Sequence, residues 1–229
     1  MSIQTETVLP TAPSTPRPPA SDVGQRVILH GVSWTTYERL LADFQDSHAA
    51  HFTYDRGVLE IMVLSAEHER PNRTIALLVE EVAAEMGIDV DNVGSHTFTR
   101  EDLARGFEPD TCFYIRNAEQ VSGKTRIDLM IDPPPDLVIE IDITHPSLNK
   151  LPIYAAAGVP EVWRYDGKEV TLYTLLESGQ YQTQEASVAL PGLTSQVISQ
   201  FVKDSQTMRR TMWIHHVREW TRQQKQPQD

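Results

Sequence analysis

The sequence predicts a mixed α/β fold, a central sheet flanked by helices, with added hairpins and a helix at the C-terminal end. Three observations carry this. Apolar side chains keep a helical period from Glu69 to Met86. Two short apolar runs, Asp110–Ile115 and Asp136–Thr144, have the length and composition of buried strands. Two tripeptides, Asp55-Arg56-Gly57 and Asp166-Gly167-Lys168, separate strand-like runs as hairpin turns do. Helical and strand patterns interleave, as they do when helices are layered on one sheet.

The elements follow in order. Residues 1–24 hold Pro10, Pro13, Pro16, Pro18 and Pro19 among Thr, Ser and Ala. Such a segment cannot bury enough apolar surface to offset its ordering entropy, so a disordered tail is expected. A single domain is expected over 25–222, with residues 223–229 as a frayed tail. Thr35-Thr36-Tyr37-Glu38 has the capping-box spacing, and Tyr37, Leu40, Leu41 and Phe44 follow at helical intervals. His51–Tyr54 and Val58–Leu64 then form a hairpin. In the long helix Ile75, Leu78, Val79, Val82 and Met86 make the buried stripe, and Gly87 supplies the C-terminal cap. A strand run around Val90–Phe98 leads into the two apolar strands. Ser147–Ala157 reads as a helix ended by Gly158. Glu161–Tyr165 and Glu169–Leu175 form a second hairpin. Thr194–Arg222 is helical, with Val197, Phe201, Met208, Met212, Val217 and Trp220 spaced along it.

Composition excludes several classes. The chain has 229 residues, with Lys+Arg 20 and Asp+Glu 32, for a net charge of −12. A basic scaffold that coats nucleic acid needs clustered Lys and Arg and is excluded. Cys112 is the only cysteine, which excludes a disulfide-stapled module. A spanning helix needs about 20 consecutive apolar residues, and no run approaches that length. The start has neither basic residues nor an apolar run, so it is not a signal peptide and a cytoplasmic protein is expected. The glycines are never closer than seven residues apart, so neither a P-loop nor a dinucleotide fingerprint is present. His215 and His216 are neighbours and cannot share one helix face as metal ligands would. Cys112 reads as a buried structural thiol.

Two acidic clusters remain. Glu108-Pro109-Asp110 precedes the apolar run Thr111-Cys112-Phe113-Tyr114-Ile115, so Asp110 opens a strand. In Asp136-Leu137-Val138-Ile139-Glu140-Ile141-Asp142-Ile143, alternation puts Leu137, Ile139, Ile141 and Ile143 on one face and Val138, Glu140 and Asp142 on the other. Acids in so apolar a strand need compensation, because an unpaired buried charge is costly. A hard cation with oxygen ligands is one compensation. Solvent on that face, or pairing with Arg and Lys, is the other.

An acid after proline, followed about 30 residues later by an acid within an apolar strand, resembles the PD-(D/E)XK nuclease superfamily. Pro135 to Ile141, Thr144-His145-Pro146-Ser147, Lys150, and Tyr154 to Trp163 resemble its restriction-endonuclease-like family known as Uma-two. Gly57 to Met62 and His68 also fit that family. The likeness covers roughly residues 30 to 185 and implies a restriction-endonuclease-like core. It implies that Asp110, Glu140 and the backbone carbonyl of Ile141 bind Mg²⁺ or Mn²⁺, for hydrolysis of DNA phosphodiesters by a homodimer in which two strands receive two cuts. The superfamily lysine two residues after the second acid is missing, and Asp142 stands there. A carboxylate cannot stabilise negative charge as an ammonium does, which leaves Asp142 a second metal or a general-base role. Lys150 matches another lysine position of the family and is the candidate to supply the cation. The catalytic set is thus Asp110, Glu140, Asp142 and Lys150. His68 is a candidate for orienting a metal-bound water or a phosphate, and also for a local capping role. Glu80 and Glu81 fall off the core stripe and read as a solvated face. The departure at Asp142 and the low basicity equally suit a catalytically silent nuclease-like binding module. Hydrolysis of another phosphoester is a third reading. The apolar C-terminal helix, with Met208, Met212, Trp213, Val217 and Trp220, packs on its own domain or on a partner.

Overall fold

Local sequence sets the elements. The computed structural model describes residues 25–44, 50–63, 65–143 and 148–225. The expected tail 1–24, the stretch 144–147 and residues 226–229 lie outside them. In chain order the elements are β1 (Gln25–His30), α1 (Trp34–Phe44), β2 (His51–Asp55), β3 (Val58–Val63), α2 (Ala66–Met86), β4 (Asp91–Gly94), β5 (Phe98–Arg100), β6 (Arg105–Phe107), β7 (Thr111–Tyr114) and α3 (Ala118–Val121). Then come β8 (Leu137–Ile141), α4 (Leu151–Ala157), β9 (Glu161–Tyr165), β10 (Val170–Leu175), β11 (Tyr181–Gln184), α5 (Ser195–Ser205) and α6 (Arg210–Gln224).

The fold is mixed α/β, but the strands form two sheets where one was expected. The first runs β1-β3-β2-β6-β5 and the second β11-β10-β9-β8-β7-β4. The split falls inside the expected Val90–Phe98 strand. Gly94 takes φ 61° there, and the β4–β7 register shifts between Asn92 and Gly94. Phe98 therefore starts a strand of the other sheet. The first sheet closes over α1 through Tyr37, Phe52, Tyr54 and Leu59. Tyr37 stacks on Tyr54 at 4.9 Å, and a Cβ at Gly106 would collide with the Tyr37 ring, so β6 needs glycine there.

Helix α2 is defined at both ends. The Ser65 side chain accepts from the His68 N–H, Glu67 and Glu69 lie in the first turn, and Gly87 caps the end at φ 72°. Ile75, Leu78, Val79 and Val82 are buried and pack with Leu137, Ile139 and Ile141 of β8. Each such side chain contributes roughly 1.5–3 kcal/mol of burial energy. The opposite face of β8, with Val138, packs in a second core with Phe98, Phe107, Tyr114, Ile153 and Tyr154. All five residues of β8 are buried, so Glu140 enters the protein with the strand. Strands β8 and β9 are parallel, joined through α4, with Glu140 paired in register to Arg164.

Helix α1 begins one residue earlier than its capping box, because Ser33 Oγ accepts from the Thr36 N–H at 3.2 Å. Helix α6 lies on α2. Trp213 and Val217 are buried in the core and Trp220 packs against it, whereas Met212 stays exposed. This helix therefore packs on its own domain. Its arginines are engaged too. Arg218 bonds Glu81, and Arg222 holds Glu85 through two nitrogens. Glu81 is thus an ion-pair partner rather than a freely solvated acid, and Glu80 accepts from Asn92.

Candidate active site

The site lies where β7, β8, α2 and α4 meet. Asp110 directly precedes β7, which pairs antiparallel with β8. Its carboxylate crosses to the neighbouring strand, where Oδ2 accepts from the Ile141 N–H at 2.7 Å. Asn72 of α2 fixes the Asp110 backbone by donating to its carbonyl at 3.0 Å, and Thr111 Oγ1 in turn bonds Asn72 Oδ1. One helical turn before Asn72, His68 Nε2 stands 3.2 Å from Asp110 Oδ2, not aligned for a proper hydrogen bond. His51 of β2 approaches from the other sheet, with Nδ1 3.9 Å from Asp110 Oδ1. Asp110 is 3% exposed, and its Oδ1 is buried without a hydrogen-bond partner.

Glu140 is 8% exposed and fully engaged. Lys150, itself 6% exposed, donates from Nζ to Glu140 Oε2 at 2.7 Å. Tyr154 donates its hydroxyl to Oε1. Lys150 is the N-terminal cap position of α4, and Tyr154 follows four residues later on the same face, so one helix end presents both donors.

Electrostatics divide the acids. Burial pushes the Glu140 carboxyl up to about 7, helped by the nearby Asp110 charge and opposed by Lys150. Burial acts on Asp110 in the same sense, but His68, Lys150 and the Ile141 N–H outweigh it and hold that carboxyl below the usual range. Burial alone would lower Lys150; the Glu140 and Asp110 charges overcome it and push the ammonium well above its ordinary value. Likewise, Asp110 and Glu140 overcome burial at His68 and raise its pKa. At His51 burial dominates, and its pKa is lowered. A small site thus combines one firmly ionised carboxylate, one carboxyl poised near neutrality and a permanent ammonium. Perturbed groups of this kind gather at functional sites.

The structure therefore brings together Asp110, Glu140, Ile141 and Lys150. Asp142 lines the same cavity as Glu140 and Lys150 but has its own partner: its Oδ2 accepts from Arg164 Nη2 at 2.5 Å. Sequence reasoning did not single out His51 or Arg164, and it had Tyr154 only as part of a motif. None carries a local signal, because each reaches the site from a separate element. Two-residue alternation on β9 does place Arg164 on the face of Val162, opposite Glu140, once the β8–β9 pairing is known.

Among the described residues, no three His, Cys, Asp or Glu side chains are grouped as a metal site. The donors present are nevertheless hard oxygens. They are the orphaned Asp110 Oδ1 and the Glu140 carboxylate. Mg²⁺ takes one or two carboxylates and completes its shell with water and phosphate, so two acids fit it. No helix among the described residues is long and apolar enough to cross a membrane.

No curated protein matches the chain. Among solved structures, it is similar to the crystal structure of a "putative nuclease belonging to DUF820" from Anabaena variabilis ATCC 29413. That likeness has 16% identity and a TM-score of 0.48, covering 66% of this chain and 90% of the other. The family model described as "Uma2: Putative restriction endonuclease" matches residues 34–206. That span is well over half the chain and holds every site residue named above, and this protein belongs to the Uma2 family.

Proposed function

We propose that this protein is a metal-dependent endonuclease that hydrolyses DNA phosphodiester bonds. One observation carries the reading: a buried ammonium, Lys150 Nζ, sits 2.7 Å from Glu140 beside Asp110, whose Oδ1 has no hydrogen-bond partner. Asp110, Glu140 and the Ile141 carbonyl would hold Mg²⁺ or Mn²⁺. A bound ion of this kind polarises a phosphoryl oxygen and lowers the pKa of its water.

The chain's own residues do the rest. Lys150 remains an ammonium, fixes the Glu140 carboxylate and supplies positive charge where a phosphate gains negative charge. Tyr154 sets the Glu140 rotamer through its hydroxyl. Asn72 fixes the Asp110 backbone from α2, and His68 stands beside its carboxylate. The lysine missing at position 142 is thereby replaced from α4. With a net charge of −12, DNA affinity is expected to be weak and salt-sensitive.

Plasmid DNA incubated with Mg²⁺ or Mn²⁺ tests this, with Asp110→Ala and Glu140→Ala beside the wild type. Metal-dependent nicking lost in both variants is the expected result. Cleavage that survives both substitutions overturns the assignment. The same assay decides the second reading, a catalytically silent binding module, which draws support from Glu140 being fully occupied by Lys150 and Tyr154. Intact plasmid with every metal, together with no hydrolysis of RNA or nucleotides, selects it.

The proposal extends to a cytoplasmic homodimer. Edge strand β1 supports the dimer, since Val27, Ile28 and Leu29 are exposed on it and its outer edge pairs with no strand among the described residues, and such an edge templates pairing with another chain. Light scattering that finds a monomer at every concentration removes the dimer.

A further inference from the structure

We propose that Arg164, held by Asp142, forms a phosphate-binding subsite at the mouth of the Glu140–Lys150 cavity. The inference rests on the nuclease reading for its biological substrate, though the anion chemistry stands by itself. Glu140, Asp142, Lys150 and Arg164 line one cavity of about 150 Å³. Two acids face two cations in it, so their charges balance. The cations differ in what they leave free. Lys150 is buried, with its ammonium bonded to Glu140. The Arg164 side chain is 42% exposed, whereas the Asp142 side chain behind it is 10% exposed. An anion arriving from solvent therefore meets the guanidinium before the carboxylate.

Donor geometry points the same way. A guanidinium fork carries five N–H groups and matches phosphate oxygens in pairs. Asp142 takes one nitrogen and Tyr173 also hydrogen-bonds the group, and a fork of five N–H donors exceeds these two partners. Asp142 is then a positioning residue. It orients Arg164 and is itself neutralised, so its carboxylate no longer repels phosphate. The cavity has room for about five waters at liquid density, which suits a phosphoryl group with the remainder of a polymer outside. Arg218 and Arg222 are tied to Glu81 and Glu85 on the α2–α6 surface.

Two measurements test the subsite. Inorganic phosphate is titrated into the protein without metal while the Arg164 side-chain N–H resonances are followed. A saturable shift in the wild type, weakened in Asp142→Asn, supports the subsite; no shift overturns it. In cleavage assays, Arg164→Gln is expected to raise KM about tenfold or more, as loss of a charge-assisted contact does, with a smaller change in kcat. Arg164→Lys recovers part of it. The double variant Asp142→Asn/Arg164→Gln separates binding from mere neutralisation. If KM stays high, Arg164 contacts phosphate; if the double variant returns to the wild-type KM, Arg164 only cancels Asp142 and the proposal falls. A wild type that cuts no DNA yet shifts Arg164 with phosphate sinks the nuclease reading and leaves the subsite standing.

Discussion

Strands β8 and β9 carry buried acids at both ends, and the two ends solve the same electrostatic problem differently. At the N-terminal end, Glu161 and Asp136 are surrounded by N–H donors, most of them backbone amides. Glu161 Oε1 accepts from the Trp163 indole, and Oε2 accepts from the Val188 and Ala189 amides at 2.8 Å each. Asp136 Oδ2 accepts from the Ile115 and Asn117 amides, and Oδ1 from the Asn117 side chain. At the C-terminal end, Asp110 and Glu140 face Lys150, Tyr154 and His68, and one oxygen of Asp110 has no hydrogen-bond partner. Backbone amides cannot move a proton or leave, so the first end is a fastening that ties loops to the sheet. Side-chain partners can do both, and the unfilled oxygen is capacity for a ligand. Burial alone does not mark a functional acid; the mobility of its partners does.

The largest expected effect breaks the functional end. Lys150→Met leaves Glu140 buried without its cation, which costs on the order of 3–5 kcal/mol in urea unfolding and removes cleavage. Lys150→Met/Glu140→Leu replaces the pair by apolar groups of similar size, a change that is often neutral or stabilising. It should regain part of that stability, since the Tyr154 hydroxyl loses its acceptor, and stay inactive. A double variant that cuts DNA would show the pair to be structural, like the acids at the other end.

Glu161→Gln should do the reverse. Both carboxylate oxygens face donors, so either amide orientation sets an –NH₂ against an N–H. A loss of about 2–3 kcal/mol is expected, with cleavage per folded molecule unchanged. A drop in specific activity at full folding would show that the two ends are coupled.

Much of this layout could be read from the chain, and the failures share one cause. The α2 stripe, both hairpins and the two faces of β8 follow from periods of 3.6 and 2, which are local. Lys150 was identifiable as a candidate, but its partner was not, because the Lys150–Glu140 bond depends on how α4 folds back over β8. Glu140 and Glu161 are equally acidic interruptions of apolar strands. Only the fold shows that one meets an ammonium and the other two amides. The first sheet was not legible as a separate one because β1, β5 and β6 are short or carry mixed side chains, and pairing rather than pattern defines them. Arg164 belongs to the same class, since its meaning arises from a strand register.

The smallest expected effect sharpens the comparison within the fastening end. Asp136→Asn keeps one acceptor oxygen, which can stay on the Ile115 and Asn117 amides. The new –NH₂ then faces the Asn117 side chain, whose amide can turn over and present its oxygen. Turning gives up the bond that Gln120 donates to that oxygen at 2.7 Å, but Gln120 is on the surface and water replaces it. The net loss should be about 1 kcal/mol, one ordinary hydrogen bond. Glu161 has no such partner, since an indole N–H and two backbone amides cannot invert. Urea unfolding of Asp136→Asn and Glu161→Gln side by side therefore tests whether rigidity of the donors sets the cost. Equal losses would mean that charge removal alone sets it, and the distinction between fixed and adjustable partners would fail at this end of the sheet.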